Sequence, residues 1–137
     1  MTLRRVRFTL GPMSDAFPKL RIRIVLRPGV AFGPGKADLL QGIAETGSLS
    51  AAGRRLGMSY KRAWTLIGDL NRSFSSPLVE TEKGGAGGGG ARLTPLGADI
   101  LTRFRAIEGA LATAAAGEIA ALATAAVLPL EQEKKRG

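Results

Sequence analysis

Between Gly47 and Leu93 the chain first reads GSLSAAGRRLGMSYKRAWTLI and later LVETEKGGAGGGGARL. The first part holds two helix-prone runs parted at Gly57. The second holds two short strand-prone runs parted by GGAGGGG, Gly84 to Gly90. Two helices joined by so short a turn must cross steeply, and only small residues at the crossing let their backbones approach. Ala52 and Gly53 stand there, just before the turn glycine. Leu56 and Met58 bracket Gly57 and are expected to plug the core. Ser48 suits an N-cap, and the helix it opens should end at Leu56. The next helix should run from near Ser59 to about Ser73, since Pro77 forbids its continuation.

Successive residues of that last helix turn by about 100°. Tyr60, Ala63, Trp64, Ile67, Leu70 and Phe74 then share an apolar face, which places Tyr60 and Trp64 in the core. Lys61, Arg62, Thr65, Asp69 and Arg72 fall on the opposite face. That face is basic at its N-terminal end, where the second helix of a helix-turn-helix reaches base edges in a major groove. Arg62 could pair bidentately with guanine and Thr65 could meet a thymine methyl. Lys61 and Arg72 suit phosphates. Each residue alone fits an ordinary solvated face equally well; the set favours duplex DNA.

The glycine run admits three readings. It contains a literal GxGxxG at Gly85, Gly87 and Gly90, but a dinucleotide motif must open a helix. Here a strand-like ARLT follows, and no Gly-Lys-Ser/Thr is present. A flexible linker would need a second domain after it, and too little sequence follows. The third reading is a hairpin tip from Glu82 to Gly90, between strands at Leu78–Thr81 and Ala91–Leu93. Glycines Gly84, Gly85, Gly87 and Gly88 would let backbone N–H groups approach phosphates, with Lys83 and Arg92 adding charge.

The flanks complete the fold. KLRIRIVLR, Lys19 to Arg27, alternates as a half-buried strand does, with Leu20, Ile22, Ile24 and Leu26 on one side and an almost wholly basic other side. Pro28 to Gly35 is expected to be a loop. Lys36 to Thr46 predicts a first helix, with Leu39, Leu40, Ile43 and Ala44 as its stripe and Gly47 as its stop. Thr94-Pro95 is a helix start. Leu96, Ile100, Phe104, Ile107 and Leu111 then recur at helical spacing, and the Ala-rich chain stays helix-prone to about Ala126. That stripe is the expected dimer seam, unless it packs on its own helix-turn-helix. The fold class is mainly α with a small β-sheet, a winged helix-turn-helix with a long C-terminal helix. Residues 1–18 read as an arm, 19–126 as the domain and 127–137 as a charged tail. Met13 is an alternative start.

Charge points to the partner. The net charge is +9, and seven basic residues against one acidic lie in the first thirty positions. From Pro95 onward five basic residues balance five acidic ones. A polyanion would be drawn to the N-terminal part. The chain has no histidine and no cysteine, so the usual general base, the thiolate metal site and the disulfide framework are missing together. An enzyme is not expected, and no cofactor or metal is implied. No apolar run approaches the ~18 residues of a membrane span, and the N-terminus lacks a signal-peptide core. The expected location is cytoplasmic. The rival readings are a winged-helix protein-interaction module and a non-specific DNA-binding protein.

SYKRAW at Ser59 to Trp64, the glycine run and LTPLG at Leu93 to Gly97 together resemble the winged-helix domain of the ModE molybdate-responsive regulators. GSLSAAGRRLG is more loosely similar to LysR-type domains. The resemblance covers roughly Ala31 to Ala110. It implies a homodimer on a palindromic operator near molybdenum-related genes. It also implies that Ser59, Tyr60 and Lys61 open the recognition helix, so that Tyr60 serves DNA as well as core, and that Gly84 to Gly90 form the wing. Regulators of that family also carry molybdate-binding modules with a Ser-Ala-Arg-Asn type motif, and no such motif follows Thr94. The expectation is a DNA-reading part without its own sensor: a separate effector-sensing protein, another effector or constitutive action would take its place.

Overall fold

The computed structural model describes residues 16–82 and 90–129. Its elements run β1 (Ile24–Arg27), β2 (Val30–Phe32), α1 (Pro34–Thr46), α2 (Leu49–Arg55), α3 (Tyr60–Ser73), β3 (Val79–Thr81), β4 (Ala91–Leu93), α4 (Pro95–Ala114) and α5 (Ala116–Ala125). Both sheets are two-stranded antiparallel hairpins, β1 with β2 and β3 with β4.

α1 is the central element, with Ala37, Leu39, Leu40, Gln41, Gly42 and Ile43 all buried. It starts at Pro34, two residues before the expected Lys36, because proline's fixed φ suits the first helical turn. It ends where the Gly47 N–H bonds Ile43 O at 2.8 Å. Ser48 then caps α2 by accepting from Ala51 N at 3.0 Å, and Ser59 caps α3 by accepting from Arg62 N at 3.0 Å. Each such cap stabilises by about 1 kcal/mol.

The small residues divide two crossings between them. A Cβ on Gly42 would sit 3.0 Å from Ala52 Cβ, so Ala52 serves the contact of α2 with α1. A Cβ on Gly53 would meet Met58 O at 3.4 Å and Ala63 Cβ at 3.5 Å, so Gly53 serves the contact with α3. Gly57 takes φ +71° in the turn, a backbone conformation that side-chain-bearing residues enter only at a cost. Leu39, Leu40, Ile43, Ile67, Leu70, Leu78 and Leu101 are the largest fully buried side chains. Each contributes about 1.5–3 kcal/mol by leaving water.

The expected loop from Pro28 to Gly35 contains a strand and the start of a helix. Pro28 and Gly29 form a tight turn with Gly29 at φ +81°, and β2 pairs back on β1. The signal was Pro-Gly as a turn between two apolar runs, not as the opening of a long loop. β1 itself is shorter than Lys19 to Arg27. Its alternation holds as far as Ile24, but the register shifts between Val25 and Arg27. That irregularity turns Leu26 outward, 48% exposed.

α4 begins as expected. Thr94 accepts from Gly97 N at 2.9 Å and donates its hydroxyl to Pro77 O at 2.8 Å. Phe104 does not face outward: it is 3% exposed, with its ring edge-on to Phe32 at 5.0 Å. The stretch expected to stay helix-prone to about Ala126, weakened by Gly109 and Gly117, breaks at Ala115, and α5 leaves α4 at 71°. The break lies within two residues of Gly117, whose helix propensity is about 1 kcal/mol below alanine's. Among the described residues no single helix is long and apolar enough to cross a membrane; α4 and α5 pass that test only as a bent pair.

A polar network clamps α4 to α1. Arg105 donates to Asp38 at 2.9 Å, to Gln41 at 2.7 Å and 3.0 Å, and to Glu108 at 3.0 Å. Gln41, 6% exposed, is satisfied there and also donates to Glu45 at 3.0 Å.

Candidate nucleic-acid interface

α3 is held by one side and free on the other. Ala63, Ile67 and Leu70 are buried, while Ser59, Lys61, Arg62, Thr65 and Arg72 are exposed. Lys61 and Arg62 have no ion pair among the described residues, and both stand in the first turn of α3 beside the capped N-terminus. The Thr65 hydroxyl donates to Lys61 O at 3.0 Å. Arg72 is bridged to Asp69 at 2.7 Å. The pair is exposed, and such pairs hold weakly enough for a phosphate to compete.

Tyr60 and Trp64 are not core residues, contrary to the angular expectation. They are 49% and 44% exposed and lie edge-to-face at 6.3 Å. The buried arc of α3 is centred on Ala63, Ile67 and Leu70, so Tyr60 and Trp64 fall on its margin, where no neighbouring element covers them. The outward surface of α3 is therefore partly aromatic as well as basic.

The strands of the wing are in place. Val79 pairs with Leu93, Glu80 with Arg92 and Thr81 with Ala91, and Glu82 N bonds Gly90 O at 2.9 Å. The expected tip residues Lys83, Gly84, Gly85, Gly87 and Gly88 lie outside the described residues. Arg92 is described. It is paired with Glu80 at 2.8 Å and Glu82 at 3.1 Å, two partners the sequence reading did not foresee. The cross-strand register explains them, since it sets Glu80 directly opposite Arg92.

Asn71 fixes where the wing stands relative to α3. Its side-chain oxygen accepts from Leu78 N at 2.8 Å and Val79 N at 3.1 Å, and its amide donates to Val79 O at 3.1 Å. On the other side a Cβ on Gly97 would lie 2.1 Å from Leu78 O, so α4 lies against the residue that leads into the wing's first strand. Ala91 N reaches Gly47 O at 3.1 Å, which seats the return strand on the turn between α1 and α2. Asn71 and Gly97 were missed as positioning residues. Asn71 lies seven residues after Trp64 and four after Ile67, so it falls on the apolar side of α3, and a polar residue at that place was the signal for a positioning role.

The expected seam divides. Leu96 and Ile100 are partly buried against the protomer's own core, and Phe104 is inside it. Ile107 and Leu111 are 39% and 42% exposed. α5 buries no residue. Among the described residues no group of three or more metal-binding side chains comes together.

Three crossed helices whose last member is flanked by an antiparallel hairpin define a winged helix-turn-helix, a DNA-binding class. Residues 36–98 match the family model of bacterial regulatory helix-turn-helix proteins of the lysR type. The chain is 44% identical over 82 residues to the molybdenum-pterin-binding protein MopA of Rhodobacter capsulatus, covering 60% of this chain and 31% of that protein. It is 43% identical over 70 residues to the molybdenum transport protein ModE of Herbaspirillum seropedicae, covering 51% and 26%. It is 43% identical over 71 residues to the DNA-binding transcriptional dual regulator ModE of Escherichia coli K12, covering 52% and 27%. The resemblance carried by SYKRAW and the glycine run therefore stands. The chain spans about a third or less of the length of these curated relatives.

Proposed function

We propose that the chain is a sequence-specific DNA-binding regulator of molybdenum-related genes. The observation that carries this reading is the two-sided character of α3: three buried residues lock one side, and an exposed basic first turn with Lys61, Arg62 and Thr65 forms the other. α3 enters the major groove, with Arg62 and Thr65 meeting base edges and Ser59, Tyr60, Lys61 and Arg72 lying along the groove or its phosphates. The wing, with Lys83, Arg92 and the glycines between them, follows the adjacent backbone.

The protein acts as a homodimer on a palindromic operator. Support comes from the apolar residues left uncovered on the second half of α4 and on α5, namely Ile107, Leu111 and Leu122. The half-exposed Tyr60 and Trp64 are what the rival reading, a protein-binding module, would use. A gel shift across a salt series on the chain's own upstream DNA separates the two. Binding with sequence preference and a steep salt slope supports the proposal; absence of binding at low salt overturns it. Molybdate added to the same assay tests the expected lack of a sensor, and a shift that depends on the anion contradicts it.

A further inference from the structure

The basic residues of β1 and of the segment leading into it have no part in the helix-turn-helix described above. Arg21, Arg23 and Arg27 are all exposed, and none has an ion pair among the described residues. From Lys19 to Gly33 the sequence contains no acidic residue. The contrast along the chain is sharp. Arg72, Arg92, Arg103 and Arg105 are each bridged to a carboxylate, and so is Arg55. Among the described residues the cations without a carboxylate partner are Lys19, Arg21, Arg23, Arg27, Lys36, Arg54, Lys61 and Arg62, and four of these eight lie between Lys19 and Arg27. A surface serving solubility alone would have no reason to exclude acidic neighbours from one hairpin.

The hairpin is also fixed to the reading helix. Phe32 of β2 meets Phe74, the residue that ends α3, edge-on at 6.4 Å, and Phe104 of α4 at 5.0 Å. β1 therefore stands at the far end of α3 from Arg62. The twelve steps along the chain from Arg62 to Phe74 span roughly 18 Å of helix at ~1.5 Å each. That places the β1 cations outside the bases read by α3, yet within the ~34 Å of one duplex turn. Alternate residues of an extended chain, as Arg21 and Arg23 are, repeat at about 6.8 Å, a spacing of the same order as that between successive phosphates of one DNA strand; Arg27 lies beyond the register shift of β1.

We infer that the β1 hairpin is a second DNA contact, in which Arg21, Arg23 and Arg27 bind the phosphate backbone flanking the bases read by α3. This rests on the reading of the chain as a duplex-binding protein. The contact adds affinity and salt dependence without adding sequence choice.

The test uses the full chain carrying Arg21→Gln, Arg23→Gln and Arg27→Gln together, with circular dichroism to confirm folding. Two duplexes share one bound sequence, selected from a random pool; one ends at its edges and the other extends a further helical turn on each side. The unaltered chain should bind the longer duplex more tightly and with the steeper salt slope. The triple variant should bind both alike. Its slope on the longer duplex should fall by up to about 2.7, or ~0.9 for each phosphate released, while its preferred sequence is unchanged. A variant with the parent's affinity and slope on the longer duplex overturns the inference. So does a variant that keeps DNA binding but loses binding to phosphatidylserine vesicles, which would make the hairpin a lipid contact. If the unaltered chain binds no duplex, the DNA reading itself falls; if it binds and the variant matches it, only the hairpin contact falls.

Discussion

Replacing Gly97 by alanine should unfold the wing's support, while the same replacement at Gly109, in the same helix, should stabilise the protein. A Cβ at Gly97 would lie 2.1 Å from Leu78 O and 3.0 Å from Leu78 C, where ordinary contacts begin at 3.4 Å. The obstacle is backbone, so no side chain can swing aside. Either α4 backs away or the start of β3 moves. Both routes strain the Thr94 N to Leu78 O bond of 2.9 Å and the Thr94 hydroxyl bond to Pro77 O. Overpacking costs about 1–3 kcal/mol, and each weakened hydrogen bond about 0.5–1.5 kcal/mol. The alanine returns up to about 1 kcal/mol of helix propensity. The net expected loss is roughly 2–4 kcal/mol, a large part of the 5–15 kcal/mol typical of a domain. At Gly109 nothing lies within 4 Å, so only the propensity gain of about 0.5–1 kcal/mol remains. Urea unfolding followed by circular dichroism reads both. With a slope of about 1–3 kcal/mol per molar urea, the Gly97→Ala midpoint should fall by one molar or more and the Gly109→Ala midpoint should rise by a few tenths. A Gly97→Ala protein as stable as its parent would refute the close packing of α4 on the wing.

Three further outcomes follow from particular contacts. Asn71→Ala leaves the N–H groups of buried Leu78 and Val79 without their acceptor; a loss of about 2–3 kcal/mol in the same unfolding assay is expected, with weaker DNA binding as the wing loses its anchor. Arg105→Met strips Asp38, Gln41 and Glu108 of a shared donor; these groups keep some access to water, so a loss of about 1–3 kcal/mol is expected, below that of a fully buried pair. Arg62→Ala should leave stability unchanged, cost about 1–3 kcal/mol of binding and relax specificity at one base position; a uniform loss across all sequences would make Arg62 a phosphate contact instead.

Much of the fold was legible because local signals agreed with it. Ser48 and Thr94 are caps in sequence and in structure, the expected helix start near Ser59 proves to be a cap as well, and Gly47 and Gly57 fall where the helices stop. What was not legible depended on pieces far apart in the chain. Gln41 and Arg105 are 64 positions apart, and no pattern in either helix announces their bond. Angular reasoning located the apolar side of α3 but not its edges, because what covers Tyr60 and Trp64 depends on neighbours that a helical wheel does not contain. The β1–β2 hairpin was hidden by the density of proline and glycine, which marks a tight turn as readily as a loop. The outward placement of Lys61, Arg62 and Thr65 on α3 followed from periodicity alone. The pairing of Arg92 with Glu80 followed only from strand register, and the anchoring role of Asn71 only from the path of the chain after Pro77.

The account rests on α3 reading a base sequence, and selection of bound duplexes from a random pool tests this most directly. The full chain is incubated with random-sequence DNA at moderate salt, and the bound fraction is sequenced over several rounds. The expected result is one enriched motif with two-fold symmetry, its halves centred ~34 Å apart or a multiple of that distance, and its preference reduced at one position by Arg62→Ala. Binding that enriches no motif would contradict sequence reading by α3, and would leave a charged protein that holds DNA by its backbone alone.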